Sequence, residues 1–285
     1  MNAQELLTRE SFIELGARTR AHKLLDPGSG RELIDPFERM VSPWLTRQGI
    51  VTQADDGVVV TKGSIDGQPA VLLSIEGAFQ GGSMGEVSAA KIAGSLELAA
   101  EDNRRGIPTH ALILFETGGV RLQEANLGLA AIAEIHAAIV DLRRYQPVIG
   151  IIAGTVGCYG GMSIAAGLCS YLIVTREARL GLNGPAVIEQ EAGVAEFDSR
   201  DKPLIWGLTG GEQRCRTGLA DFYVEDDVAA IRNEVVACFR SGRPDVCRSE
   251  YVTGFLHRLA EIDATEQATS DKVAAIYKKG SQHEQ

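Results

Sequence analysis

Three times between residues 75 and 161 a Gly-Gly pair follows an apolar run and opens a helix-prone stretch. The pairs are Gly81-Gly82, Gly118-Gly119 and Gly160-Gly161, with first glycines 37 and 42 residues apart. Strand–turn–helix units repeated in this way restrict the chain to an α/β class, a coil of successive βα turns. The middle unit is the clearest. Leu122, Leu129, Ile132, Ile135, Ile139 and Leu142 fall at helical spacing within a helix expected over 121–144, and Pro147 stops it. Val148–Ala153 is apolar without alternation, as a strand covered on both faces should be. Upstream, Val58–Val60 and Ala70–Ile75 flank Asp66-Gly67, a hairpin signal.

Around this centre, residues 1–48 read as a polar, helix-prone N-terminal arm with a helix over 11–25 and a break at Pro27–Gly30. Residues 49–241 form the main domain, including helices near 84–104, 162–168 and 226–240 and a strand at Tyr171–Val174. Leu180–Pro185 reads as a strand and turn opening a helix through Ile188, and 242–285 as a peripheral helix with a frayed tail. The 285 residues, 45% hydrophobic and 23% charged, suffice for a substantial core. A net charge of −10 argues against nucleic acid or an anionic membrane as the main partner. No apolar stretch approaches the ~20 residues that span a bilayer, and residues 1–10 lack a signal-peptide core. Five cysteines with no C-x-x-C pair speak against structural zinc or a disulfide framework, so a reducing cytoplasm is the expected setting.

Two of the turns carry the chemistry. Ala111–Phe115 runs into Glu116-Thr117-Gly118-Gly119-Val120-Arg121, and Val148–Ala153 runs into Gly154–Tyr159 and Gly160-Gly161-Met162. Glycine lets backbone approach a ligand closely, and a helix start leaves N–H groups without intrahelical partners. Two such N–H groups aimed at one point make an oxyanion hole, suited to an enolate or a tetrahedral oxyanion. The bland alternative is that the glycines merely allow tight strand-to-helix turns.

Four ordered segments extend the pattern: Glu76–Glu86, Thr117–Glu124, Gly157–Ser163 and Asn183–Gln190. Their order and spacing resemble the carboxyltransferase β subunit of acetyl-CoA carboxylase and its acyl-CoA relatives over about residues 50–240. That resemblance implies a crotonase-like fold, a superhelix of ββα units. Within the group the chain is most similar to β subunits of biotin-independent malonate decarboxylase, through Ser11–Leu15, Ser42–Leu45, Ala54–Val58 and Leu208–Gln213. It implies a subunit that, with a γ subunit, decarboxylates a malonyl thioester to the acetyl thioester. The thioester is carried on the dephospho-CoA-derived arm of an acyl-carrier subunit, and a separate transferase subunit exchanges acetate for malonate. No metal and no biotin are implied.

On that resemblance the catalytic set is Gly118, Gly119, Val120, Gly160 and Gly161, and the arm-binding set is Gly81, Gly82, Ser83, Met84, Lys91, Arg121 and Tyr159. Lys91, Arg104, Arg105 and Arg121 are the candidates for the arm's phosphates, with Arg121 preferred beside the hole. The Gly81–Gly85 loop is equally compatible with a simple bend against a helix. Tyr159, water or a γ-subunit residue are alternative proton donors to the enolate. Cys158 reads as a small buried hydrophobe and His136 as a packed or surface histidine. Residues 162–166 hold no carboxylate, which speaks against a hydratase, and Glu189 and Glu191 read as structural. Two alternatives stay open: a carboxyltransferase subunit of a biotin-dependent complex, and a non-catalytic docking subunit.

Overall fold

The computed structural model describes residues 9–49, 57–266 and 269–280. The Ala54–Asp56 part of one family segment therefore lies outside the described residues, as do 281–285. Asp66 and Gly67 both take positive φ, 51° and 73°, and close an antiparallel hairpin of β2 (Val58–Ile65) and β3 (Gln68–Ile75). Mirror-image turns of this kind match the right-handed twist of the strands. The chain then alternates: α2 (Glu86–Arg104), β4 (His110–Phe115), α3 (Asn126–Leu142), β5 (Val148–Ile152), α4 (Gly161–Leu168) and β6 (Tyr171–Val174). With β1 (Arg31–Leu33) and β7 (Phe222–Tyr223), the strands form one seven-stranded sheet in strict chain order, parallel from β3 to β7.

The continuous apolar runs of β4 and β5 are resolved by the period of two along a strand. Ala111, Ile113 and Phe115, with Val148 and Ile152, face the helices α2, α3 and α4. Leu112 and Leu114, with Ile149 and Ile151, face the other way, towards α1 (Ala17–Leu24) and α8 (Val228–Ser241). Beyond the main strands, parallel bridges Met84↔Val120, Thr117↔Cys158 and Cys158↔Leu180 form a second, shorter ladder. Each turn of the coil thus supplies two extended points and a helix, the ββα repeat that the resemblance implied.

Several boundaries differ from the sequence expectations. The N-terminal segment is no arm. The helix expected over 11–25 shortens to α1, while Phe12, Ala21, Leu24 and Leu25 are buried in the core beneath the sheet. Arg20 on α1 is buried too and ion-pairs with Glu116, which follows β4. Of the α3 stripe, Ile132, Ile135, Ile139 and Leu142 are buried, but Leu122 and Leu129 are exposed. Leu180 makes a single bridge rather than a strand, and the helix after it, α5, runs Pro185–Ala192. Between it and β7 lie α6 (Lys202–Thr209) and α7 (Gly211–Arg216), two short helices the pattern does not announce. Among its described residues the C-terminal part holds two α-helices, α9 (Val252–Ala260) and α10 (Ser270–Gly280). Gln213 donates to the Ser270 carbonyl at 2.9 Å, fastening α10 to α7. No described helix is long and apolar enough to cross a membrane.

The packing makes three predictions about stability. Arg20→Met leaves Glu116 buried without its counter-charge and should cost about 3–5 kcal/mol. Breaking the exposed Arg200–Asp198 pair should leave the urea midpoint unchanged. His110, stacked on Phe239 with centroids 3.9 Å apart, has its pKa pushed down by burial from 6.5 to about 4. Between those values the unfolded chain binds a proton that the folded chain does not. Stability should therefore fall by on the order of 3 kcal/mol as pH drops from 6.5 towards 4. Urea titrations across that range check this, and His110→Gln should flatten the slope.

Candidate active site

Because β4 and β5 are parallel neighbours, the turns that follow them emerge side by side at the same edge of the sheet. They are also stitched together: Thr117 N–H donates to the Gly157 carbonyl at 2.8 Å, and Tyr159 N–H to the Thr117 carbonyl at 3.1 Å. The closest approach is glycine against glycine. A Cβ on Gly119 would sit 3.3 Å from the Cα of Gly160, and one on Gly160 would sit 3.2 Å from the Cα of Gly119. Both residues also have positive φ, 107° and 61°, which side chains disfavour. At this contact a side chain would be crowded against backbone as well as strained in φ.

Among the described residues, the N–H groups of Val120 and Gly161 donate to no backbone or side-chain acceptor. Their peptide planes are nonetheless fixed from the carbonyl side. The Gly119 carbonyl, which shares its peptide with Val120 N–H, accepts from Met84 N–H at 2.8 Å. The Gly160 carbonyl, which shares its peptide with Gly161 N–H, accepts from the Ser163 N–H at 3.0 Å and its Oγ at 2.7 Å. Gly161 opens α4, so its N–H also lies at the positive end of a helix. Gly118 spends its own N–H on the Gly81 carbonyl at 2.9 Å, and Gly119 donates to Thr117 Oγ1 at 3.0 Å. Of the five residues expected to be catalytic, Val120 and Gly161 therefore hold the available donors, and the other three shape their turns.

The Gly81–Met84 loop buttresses the first turn. Gly82 has φ of 65°, and a Cβ there would overlap the Glu116 carbonyl. Met84 is fully buried and brackets Val120, its N–H donating to Gly119 and its carbonyl accepting from Arg121 N–H at 2.8 Å. Arg121 is not an exposed cation. It is buried, pairs with Glu124 at 2.8 Å and donates to the Ser83 carbonyl at 2.9 Å. Glu124 in turn accepts the Glu86 N–H at the start of α2 at 2.7 Å. Lys91 is buried as well, its Nζ 2.6 Å from the Val58 carbonyl. Lys91 and Arg121 are thus both taken out of water, where polar partners compensate each charge. Arg104 and Arg105 lie at the far end of α2, roughly 27 Å from its start at 1.5 Å per residue, and pair with Asp141 and Glu101.

Around the second turn, Cys158 is fully buried and its thiol is pushed well above the usual range by desolvation. Tyr159 is buried too, with a hydroxyl that finds no partner and a pKa raised by burial. Glu189, on α5, accepts the Ser199 N–H at 2.7 Å, and the Ser199 contacts lower its pKa. It serves the local loop. Sequence reading missed Glu116, whose carboxylate accepts from Thr155 N–H at 2.9 Å while pairing with Arg20. Its signal was an acidic residue between a wholly apolar strand and a Gly-Gly turn.

The fold and the facing turns define a crotonase-like α/β protein. The chain belongs to the carboxyl transferase domain family, which matches residues 14–241. It is 38% identical over 250 residues to the malonyl-S-ACP:biotin-protein carboxyltransferase MADC of Malonomonas rubra, covering 84% of this chain and 79% of that protein. A chain of the Pseudomonas malonate decarboxylase hetero-tetramer in complex with malonate aligns with a TM-score of 0.91 at 67% identity, over 97% of this chain and 100% of that one. A chain of the Pseudomonas malonate decarboxylase MdcD-MdcE hetero-dimer aligns with a TM-score of 0.76 at 62% identity, over 90% and 99%. The resemblance to malonate decarboxylase β-type subunits read from the motifs is borne out.

The burial of the thiols gives a direct check. Near neutral pH, iodoacetamide should leave Cys158, Cys169 and Cys238 unmodified in the folded protein, with labelling confined to the part-exposed Cys215 and Cys247. Peptide mass mapping reads this; rapid labelling of Cys158 would contradict the site as described.

Proposed function

We propose that this chain is the β-type subunit of a malonate decarboxylase and that, with a partner subunit, it converts a malonyl thioester to an acetyl thioester and CO2. The observation that carries the reading is the pair of uncommitted N–H groups, Val120 and Gly161, on two turns in van der Waals contact. Loss of CO2 breaks the bond between the α carbon and the carboxylate. The electron pair left behind is delocalised from the α carbon onto the thioester oxygen as an enolate. Negative charge therefore grows on that oxygen during the reaction, and donors fixed beforehand stabilise the transition state more than the ground state. A proton added at the α carbon completes the acetyl thioester.

The division of labour supports a partner. The two Pseudomonas structures are a hetero-tetramer and a hetero-dimer. Leu122, immediately after the first turn, and Leu182, whose carbonyl accepts the Gly160 N–H of the second, are 81% and 62% exposed. Apolar side chains flanking both donors suit a site that another subunit covers, which would also exclude water from the enolate. The arm of an acyl-carrier subunit would reach the turns between these flanks. Its phosphates would be held by groups other than Lys91 and Arg121.

A second reading has a specific observation behind it: the Malonomonas relative transfers the carboxyl group to a biotin protein. The same two donors would serve that reaction. The higher identity and near-complete coverage of the malonate decarboxylase chain favour release of CO2. The test is to incubate the chain, with its partner subunits, with a malonyl thioester and follow acetyl thioester and CO2. Avidin-insensitive turnover is expected, and turnover that stops with avidin would establish the biotin reading. Gly161→Val places a side chain where even a Cβ would lie 2.9 Å from Ile132 Cγ2. It should lower kcat by about 100- to 1,000-fold, the cost of one lost oxyanion donor. Wild-type turnover in an assembled Gly161→Val complex would remove the oxyanion role from this turn.

A further inference from the structure

One helix touches both turns. On α3, Gly128 lies so close to the first turn that a Cβ would be 2.8 Å from the Met84 carbonyl and 2.9 Å from the Val120 side chain. Four residues on, Ile132 packs against the position a Gly161 side chain would occupy. Four further on, the imidazole Nε2 of His136 is 2.8 Å from the Gly161 carbonyl oxygen. Positions i, i+4 and i+8 share one face of a helix, so this face spans the proposed site like a gauge.

A carbonyl only accepts, so the proton lies on Nε2 and His136 donates. The Gly161 carbonyl is also the first in α4, where an α-helical bond from four residues ahead is its ordinary partner. The imidazole bond is a further one, delivered from a different element 25 residues away in sequence. Ser163 fixes the peptide before Gly161 and His136 the peptide after it. With no side chain of its own, Gly161 depends on these flanking bonds for its orientation.

We propose that His136 is a positioning residue for the second oxyanion donor: by holding the Gly161 carbonyl from α3, it sets the Gly161 N–H against the Val120 N–H at the other end of the same helical face. The proposal rests on the oxyanion reading above and adds a side chain to a device otherwise built from backbone. His136 touches no reacting atom in this scheme. Its contribution is geometric.

The test uses the assembled decarboxylase complex and a malonyl thioester, with three variants. His136→Leu keeps bulk without a donor; His136→Asn keeps polarity but is too short to reach Gly161; His136→Gln keeps an amide donor at comparable reach. Leu and Asn should each lower kcat at least tenfold with KM within about twofold of wild type, and Gln should recover most of the loss. The carbon-13 isotope effect at the departing carboxylate should rise in Leu and Asn, because the chemical step becomes more limiting. A purely structural histidine would shift melting temperature or assembly but not the isotope effect. If Leu does not assemble, Asn and Gln carry the comparison. Wild-type kcat in Asn, or equal losses in Asn and Gln, overturns the proposal. A wild-type complex that releases no CO2 would overturn the functional reading instead, and the two failures are separate.

Discussion

The architecture depends on the approach of two glycine Cα atoms, those of Gly119 and Gly160. Adjacent parallel strands lie about 4.8 Å apart, and the turns leaving β4 and β5 keep that intimacy beyond the sheet through the Thr117↔Cys158 bridge. A side chain at the contact would press on the opposite backbone, at a positive φ that side chains disfavour, and so disturb the placing of the Val120 and Gly161 N–H groups. The bonds that flank these donors all act on carbonyls: Met84 on Gly119, Ser163 on Gly160, His136 on Gly161. Met84 and Ser163 hold the far side of the two donor peptides and His136 holds the peptide after Gly161, which leaves the donor N–H groups available, as preorganisation requires of a backbone donor.

Beneath this contact runs a buried polar frame. Glu116 joins Arg20 on the N-terminal helix to the Thr155–Val156 backbone beyond β5. Glu124 joins Arg121 to the start of α2. Glycine recurs wherever these carboxylates need room: a Cβ on Gly77 or Gly154 would crowd Glu116, and one on Gly85 would crowd Glu124. The two carboxylates therefore pin the first turn from below and from the side. They also explain why the N-terminal segment belongs to the core, since Arg20 supplies the counter-charge without which Glu116 would be buried alone.

The periodic parts of the fold were legible in the sequence. Hairpin, helix and strand appear where Asp66-Gly67, the Ile132–Leu142 spacing and the unbroken apolar run at 148–152 place them. What sequence reading could not resolve is which face a charge points to. Lys91 and Arg121 read as candidates for the arm's phosphates, yet both are buried on specific carbonyl or carboxylate partners. Likewise the stripe on α3 does not announce that Leu122 and Leu129 lie beyond the core, since spacing gives a face and not what covers it. The short helices α6 and α7 fall below the length at which periodicity speaks. His136 reads as a packed or surface histidine, and only the fold brings it to Gly161.

The central claim is that a thioester oxygen is received between these two turns. The most direct measurement is a crystal structure of the assembled complex with a non-decarboxylating malonyl-thioester analogue on its arm. The account predicts the thioester oxygen within about 3.2 Å of both the Val120 and the Gly161 nitrogen. An analogue bound with that oxygen directed at any other pair of donors, or at none, would contradict it.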